Sequence, residues 1–262
     1  MAELLLRNSS VGFIKAIIFD KDGTLSNSEE YLLELAKLRI RFAEDKFQKL
    51  GNNRIKVSLL KNLLISIYGF KKKSLSPTSC LAIASREQNI ISTATIFTLF
   101  DFDWFKSLSI SQKIFDEVDV FLANQNDNRH KQKTLIPGAL DLLCSLKSKG
   151  VCIALMTNDT QGGIEEFIYR NKLEGIFDYF WSAENKPSKP NPEAVIELCK
   201  KMKLNPAECA LISDADTDLK MAKEADISIA IGFTGGWVNP PTLNEKKFLL
   251  EKLNELKIQA NH

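Results

Sequence analysis

Asp20 and Asp22 stand one residue apart, directly after an apolar run over residues 14–19 and directly before Gly23-Thr24-Leu25. A buried strand that stops at Asp-x-Asp-Gly-Thr brings two carboxylates and a tight backbone turn to one point. Two hard oxygen acids so placed can hold a divalent cation, and one of them can act as a nucleophile beside it. The same residues also make an ordinary strand-end turn, because Asp, Gly and Thr are all turn formers. The choice between the two rests on what the rest of the chain delivers to the same place.

Three more polar clusters each follow an apolar segment. Thr157-Asn158-Asp159 follows the run 151–156, Lys186-Pro187-Ser188-Lys189-Pro190-Asn191-Pro192-Glu193 follows 177–181, and Ser213-Asp214-Ala215-Asp216-Thr217-Asp218 follows 209–212. In an open parallel sheet, ligands bind at the carboxyl ends of the strands. Clusters at four strand ends would therefore converge, offering several acids for a metal and a hydroxyl, a backbone amide and an ammonium for an anion. Each cluster also has a plainer reading. Thr157-Asn158 can be a helix cap, Lys189 a solvated lysine, and Asp214 and Asp218 a cap and a first-turn acid. Four plain readings falling on four strand ends is the less economical account.

The chain that must position these residues is of two kinds. From residue 28, apolar residues recur at helical spacing: Tyr31, Leu32, Leu35, Leu38, Phe42 and Phe47, then over 55–68, from Ser76-Pro77 through Leu81, over 90–100 and over 111–122. This predicts a helical bundle of about five elements, with a polar loop over 124–133 after it. From Ile136 onward, helices and short apolar strands alternate. Helices are expected from Pro137-Gly138 to about Gly150, over 163–173, from Asn191 to about Leu204 and over 217–225, with a last amphipathic helix over 245–257. Strands are expected over 151–156, 177–181, 209–212 and 227–231. With the first strand at 14–19, these make five parallel strands covered on both faces, an α/β Rossmann-like core. The helical stretch is then an insertion: core 1–26 and 135–262, insert 27–134, with 26–28 and 124–133 as hinges. Residues 1–13 are a lead-in with no assigned element.

Composition narrows the partners. Lysine and arginine (35) nearly balance aspartate and glutamate (33), for a net charge of +2, so no strong field argues for nucleic acid or a membrane surface. No run is long enough for a transmembrane helix, and the first twelve residues lack the features of a signal peptide. The cysteines form no Cys-x-x-Cys pair. Cys144, Cys152, Cys199 and Cys209 lie in apolar surroundings and read as small packed hydrophobes, which points to a reducing, cytoplasmic setting. The oligomeric expectation is a monomer or a homodimer.

In this order, the four clusters resemble the haloacid dehalogenase-like superfamily of hydrolases. Residues 20–25, Asp-Lys-Asp-Gly-Thr-Leu, match its first motif; Thr157 matches the second, Lys189 the third, and the pair Asp214 and Asp218 the fourth. Two features depart from the pattern. Ser213 stands where the family usually has glycine, and Lys186 opens a competing Lys-Pro pair, although the Pro-Asn-Pro-Glu after Lys189 is the better match. The resemblance covers residues 14–25 and 135–235. It implies that Asp20 is a nucleophile forming an aspartyl-phosphate and that Asp22 is the general acid and then base. It implies Mg²⁺ held by Asp20, the Asp22 carbonyl and Asp214, with Asp218 in support, and a phosphate gripped by Thr157, Asn158 and Lys189. Dehalogenating members lack the second acid, since a halide leaves without a proton; Asp22 therefore implies phosphate chemistry. The insert resembles the helical cap of the phosphoglycolate-phosphatase-like branch. The implied activity is a Mg²⁺-dependent phosphatase of small phosphorylated metabolites, with phosphoglycolate as the default. The alternatives are a sugar-phosphate mutase, a phosphonatase using a cap lysine (Lys37, Lys46, Lys49 or Lys56), and a silent binding protein. Arg39 and Arg86 read as surface ion pairs, Lys71-Lys72-Lys73 as a solvated loop, and His130 has no assigned role.

Overall fold

A computed structural model describes residues 1–71, 73–124 and 134–260. The chain separates into two compact units, Met1–Ser28 with Lys133–His262, and Glu29–Gln132. The lead-in is structured: β1 (Ala2–Leu6) and β2 (Ser9–Ile14) form an antiparallel hairpin. Arg7 and Asn8 join them at φ 50° and 65°. Two successive left-handed residues are what the tightest hairpins require, and Asn tolerates that conformation better than most residues. The first strand of the core is correspondingly shorter than the apolar run: β3 (Ala16–Phe19), every residue of it buried. After the acidic turn comes β4 (Ser26–Asn27).

The unit Glu29–Gln132 is helical. α1 (Glu29–Lys49) has acids in its first turn and lysines in its last, matching the helix dipole. α2 (Arg54–Ile67) is capped by the Asn53 side chain. A two-residue hairpin not expected from the sequence follows, β5 (Phe70–Lys71) and β6 (Ser74–Leu75). α3 (Cys80–Ile83) begins at a Ser79 cap rather than at Ser76-Pro77. α4 (Arg86–Thr98) starts with a capping box between Ser85 and Gln88, and α5 (Trp104–Asn124) closes the unit. Phe47 anchors the interior, its ring 4.8 Å from Phe100 and 6.0 Å from Phe97. Tyr68 is wholly buried against Thr93. Arg86 makes the expected ion pairs, with Asp116 and Asp119. Arg39 does not: it is buried, with its guanidinium 3.8 Å over the Phe115 ring, a stacked cation rather than a surface pair. Lys72, His130 and the expected hinge beyond Asn124 lie outside the described residues.

On return, β7 (Thr134–Leu135) pairs antiparallel with β4. Helices and strands then alternate as expected: α6 (Ala139–Ser148), β8 (Cys152–Met156), α7 (Gln161–Asn171), β9 (Tyr179–Trp181), α8 (Pro192–Met202), β10 (Cys209–Ser213), α9 (Asp216–Glu224) and β11 (Ile229–Phe233). The chain ends in two further strands, β12 (Phe248–Leu250) and β13 (Leu256–Ala260), and not in the expected helix over 245–257. Helical periodicity loses here because both strands find backbone partners. β12 extends the parallel sheet beside β11, and β13 pairs antiparallel with β1. The main sheet therefore has six strands, in the order β12-β11-β10-β3-β8-β9, all parallel.

β3 lies between β10 and β8, and its side chains alternate between two cores. Ile17 and Phe19 pack with Leu142, Leu146 and Phe167, and with Leu4 and Ile258 of the smaller sheet β13-β1-β2. Ile18 packs with Val195, Leu198 and Leu219 of α8 and α9. Cys199 and Cys209 are buried as expected, but Cys144 is exposed on α6. Among the described residues, no helix is long and apolar enough to cross a membrane.

Leu4 has no exposed surface and belongs to the same core as β3. Leu4→Ala is expected to cost about 2–5 kcal/mol, as large-to-small changes in a tight core do, and to lower the urea midpoint. An unchanged midpoint would show that the N-terminal hairpin is not part of this core.

Candidate active site

β3 delivers Asp20 to the carboxyl edge of the sheet. The Asp20 amide donates to the Ile212 carbonyl at 3.0 Å, so strand pairing fixes where its side chain starts. The chain then turns back sharply, with the amides of Leu25 and Ser26 both donating to the Lys21 carbonyl at 2.9 Å. Gly23 sits in this turn at φ +82°, and a Cβ there would lie 2.4 Å from both the Asp214 carboxylate and the Trp237 indole nitrogen. Only glycine permits both the backbone and the contact. Thr24 faces inward: its hydroxyl donates to Asp214 Oδ1 at 3.0 Å and accepts from the Asp214 amide at 3.1 Å. One turn thus positions Asp20 and Asp214 together.

Lys189 is the centre of the arrangement. The Asn191 cap and Pro192 start α8, and the loop before them carries Lys189 inward, where it is 7% exposed. Its Nζ lies 2.6 Å from Asp20 Oδ1, 2.6 Å from Asp218 Oδ2 and 3.1 Å from the Met156 carbonyl at the end of β8. Three acceptors meet the three hydrogens of an ammonium. Lys186 is exposed, and of the two lysines Lys189 is the one drawn inward. Burial opposes charge on Lys189, but the two carboxylates outweigh it and hold its pKa above the ordinary lysine value. Burial pushes the Asp20 carboxyl from 3.8 up to about 6, with Lys189 pulling down and Asp218 and Asp22 pushing up. Burial and then the charge of Asp20 drive Asp214 well above the carboxylate range, against hydrogen bonds from Trp237 and Thr24.

The other expected residues fall around this centre. Asp218, on the first turn of α9, accepts from the Ser213 hydroxyl at 2.7 Å. The serine that replaces the family's glycine thus has a use: it orients the second acid. Asp216, the third acid of that cluster, turns elsewhere and accepts from the amides of Asn244 and Glu245. Thr157 is buried, and its hydroxyl accepts from the Asp159 amide at 3.1 Å. The cap of α7 is Thr160, so Thr157-Asn158 is not serving as one. Asp22 has both oxygens engaged: Ser28 donates to Oδ1, and Lys21 Nζ lies 2.8 Å from Oδ2. Lys21 is wholly buried and also meets Asp159 Oδ2 at 2.6 Å.

Sequence reasoning named Thr24 and Asp159 within their clusters and Ser28 within a hinge, but gave none of them, nor Lys21 or Trp237, a part in the site. Trp237 donates from its indole nitrogen to Asp214 Oδ2 at 2.5 Å. Its signal is indirect: a Gly-Gly pair precedes it, just after a buried strand. A Cβ at Gly236 would stand 1.9 Å from the Gly23 carbonyl, so the pair marks a close backbone approach to the acidic turn.

A divalent cation fits this donor set. Asp20, Asp214 and Asp218 offer only oxygen, and one ammonium does not balance three buried carboxylates. Burial is the main reason that the pKa values of Asp20 and Asp214 are raised, and neighbouring carboxylates add to it. Among the described residues, no three Asp, Glu, His or Cys side chains form a ready cage. Mg²⁺ does not need one, because it is usually held by one or two carboxylates plus waters and substrate oxygens.

A family model of haloacid dehalogenase-like hydrolases matches residues 14–226, and the chain belongs to that family. It is therefore an enzyme of the hydrolase class, and its curated relatives include phosphatases. It is 28% identical over 162 residues to a phosphoglycolate phosphatase of Vibrio vulnificus (strain YJ016), covering 58% of this chain and 69% of the relative. To a phosphoglycolate phosphatase of Nitrosococcus oceani it is 32% identical over 115 residues, 42% of this chain and 49% of the relative. Among solved structures, a predicted phosphoglycolate phosphatase from Haemophilus somnus 129pt superposes with a TM-score of 0.63 at 18% identity, covering 93% and 96% of the two chains. A β-phosphoglucomutase from Clostridium difficile superposes at 0.58 and 18% identity, covering 93% of each. At such identity the structures establish the fold alone.

The Asp20 shift has a stability consequence of definite sign. Its folded pKa of about 6 exceeds the ordinary 3.8, so its contribution is present below about 3.8 and lost as pH rises through about 6. Asp20→Asn removes that loss. In EDTA-treated protein, the thermal midpoint of Asp20→Asn relative to the parent is expected to rise between pH 4.5 and pH 7. A difference that stays flat would contradict a raised Asp20 pKa.

Proposed function

We propose that this chain is a Mg²⁺-dependent phosphatase of small phosphorylated metabolites. The supporting observation is the Lys189 ammonium 2.6 Å from Asp20 and from Asp218, buried at the strand ends. A cation fixed beside a carboxylate can quiet its charge towards an incoming phosphate and steady the phosphoryl oxygens. Asp20 attacks phosphorus through Oδ2, since Lys189 holds Oδ1; the bond from phosphorus to the leaving oxygen breaks and an aspartyl-phosphate forms. Asp22 protonates that leaving oxygen, then takes a proton from the water that cleaves the aspartyl-phosphate. The Thr157 hydroxyl, the Asn158 main-chain amide and Lys189 grip the phosphoryl oxygens. Asp20, the Asp22 carbonyl and Asp214 would hold Mg²⁺, which when bound would neutralise charge on the phosphoryl group. Asp218 stands behind it, because its Oδ2 is already occupied by Ser213 and Lys189.

The insert 27–134, lying in sequence between the first two clusters, is the proposed substrate-selecting cap on a core of 1–26 and 135–262. Phosphoglycolate is the first substrate to try, because the relatives matched in sequence carry that name. Phosphate release from phosphoglycolate and from an aryl phosphate is expected only with Mg²⁺. Asp20→Asn should lower it by at least about a thousandfold, as loss of a covalent nucleophile does. Turnover in EDTA, or an active Asp20→Asn, would refute the mechanism. Isomerised sugar phosphate with little free phosphate would instead identify a mutase.

A further inference from the structure

Lys21 lies between the two acids of the first cluster, and its side chain has no exposed surface. A buried ammonium persists only among acceptors. Lys21 has two, Asp22 Oδ2 at 2.8 Å and Asp159 Oδ2 at 2.6 Å. Asp159 is itself fixed. Its Oδ1 accepts from the Thr160 amide at 2.8 Å, where α7 begins. A Cβ at Gly163 would sit 2.4 Å from the Asp159 carboxylate, so the first turn of α7 is cut away to receive it. The Lys21 ammonium also lies 5.8 Å from the Phe167 ring centre. Lys21 is thus pinned to the start of α7, and through it one oxygen of Asp22 is pinned as well.

The other oxygen of Asp22 has a different neighbour. Ser28 donates to Oδ1, but its hydroxyl has alternatives in Ser26 Oγ at 2.9 Å and the Ser26 carbonyl at 3.5 Å. A hydroxyl can turn to donate or accept, whereas an ammonium can only donate. The carbonyl oxygen of a protonated carboxyl is its better acceptor, so an ammonium at one oxygen favours the proton on the other.

We propose that Lys21, locked by Asp159, is a positioning residue that anchors Asp22 Oδ2 and leaves Oδ1 as the oxygen that gives and takes the proton. This rests on the acid role proposed for Asp22. As the phosphorus–oxygen bond of the substrate breaks, the Oδ1–H bond breaks and the proton passes to the leaving oxygen, with Oδ2 still held by Lys21.

The test separates positioning from general damage by the leaving group. An alkyl phosphate needs a proton on its leaving oxygen and a dinitrophenyl phosphate does not. Lys21→Met is expected to lower kcat/KM for β-glycerophosphate by about 10²–10⁴-fold, the range of a lost general acid, and for dinitrophenyl phosphate by less than about 3-fold. Equal losses on both substrates, or none on either, overturn the proposal. If thermal unfolding shows that Lys21→Met does not fold, Asp159→Asn decides: about a 10-fold loss confined to the alkyl substrate supports the proposal, and an even loss refutes it. Asp22→Asn in the same assay keeps the two ideas apart. No split there removes the acid role, and the positioning role with it; a split there with none in Lys21→Met removes the positioning role alone.

Discussion

Lys189 makes the centre of this protein possible. Asp20, Asp214 and Asp218 are drawn out of water at one end of a parallel sheet, where buried carboxylates need a counter-charge. Lys189 supplies it by spending all three ammonium hydrogens, on two of those acids and on the Met156 carbonyl. The remaining excess of negative charge is partly screened by neutral donors, Thr24 and Trp237 on Asp214 and Ser213 on Asp218. What they leave uncompensated is the electrostatic argument for a divalent cation.

The fold serves this cluster by holding β3 rigidly at the middle of the sheet. Its four residues are buried on both faces between β10 and β8, and the small sheet β13-β1-β2 packs onto one of those faces. The strands end together, so the chemistry collects where backbone ladders give way to turns. Two glycines complete the closure: Gly23 lets the turn approach Asp214, and Gly236 lets the next loop rest on the carbonyl of Gly23.

The two buried lysines divide the charges of the first cluster between them. Lys189 takes Asp20, and Lys21 takes Asp22, each with a second carboxylate from another strand end: Asp218 after β10 for the one, Asp159 after β8 for the other. Two carboxylates one residue apart on one turn are thereby placed in different surroundings.

The α/β core, its alternation after Ile136, the helical insert and the residues at the four strand ends were legible in the sequence. Buried parallel strands leave uninterrupted apolar runs, and residues at strand ends are local in the chain. Those same residues carry the resemblance to the hydrolase family. Three kinds of feature were not legible. The N-terminal hairpin turns on Arg7-Asn8, a pair without the usual glycine. The last segment has helical spacing but pairs as β12 and β13, because β11 and β1 offer edges no local pattern announces. Lys21, Ser213 and Trp237 look like ordinary residues until folding sets them against Asp22, Asp218 and Asp214. The sequence by itself determined which acids and which lysine types stand at the strand ends. The tertiary structure alone decided that Lys189 and not Lys186 is drawn inward, and that Lys21 is buried at all, because a charge changes its meaning only when folding removes the water around it.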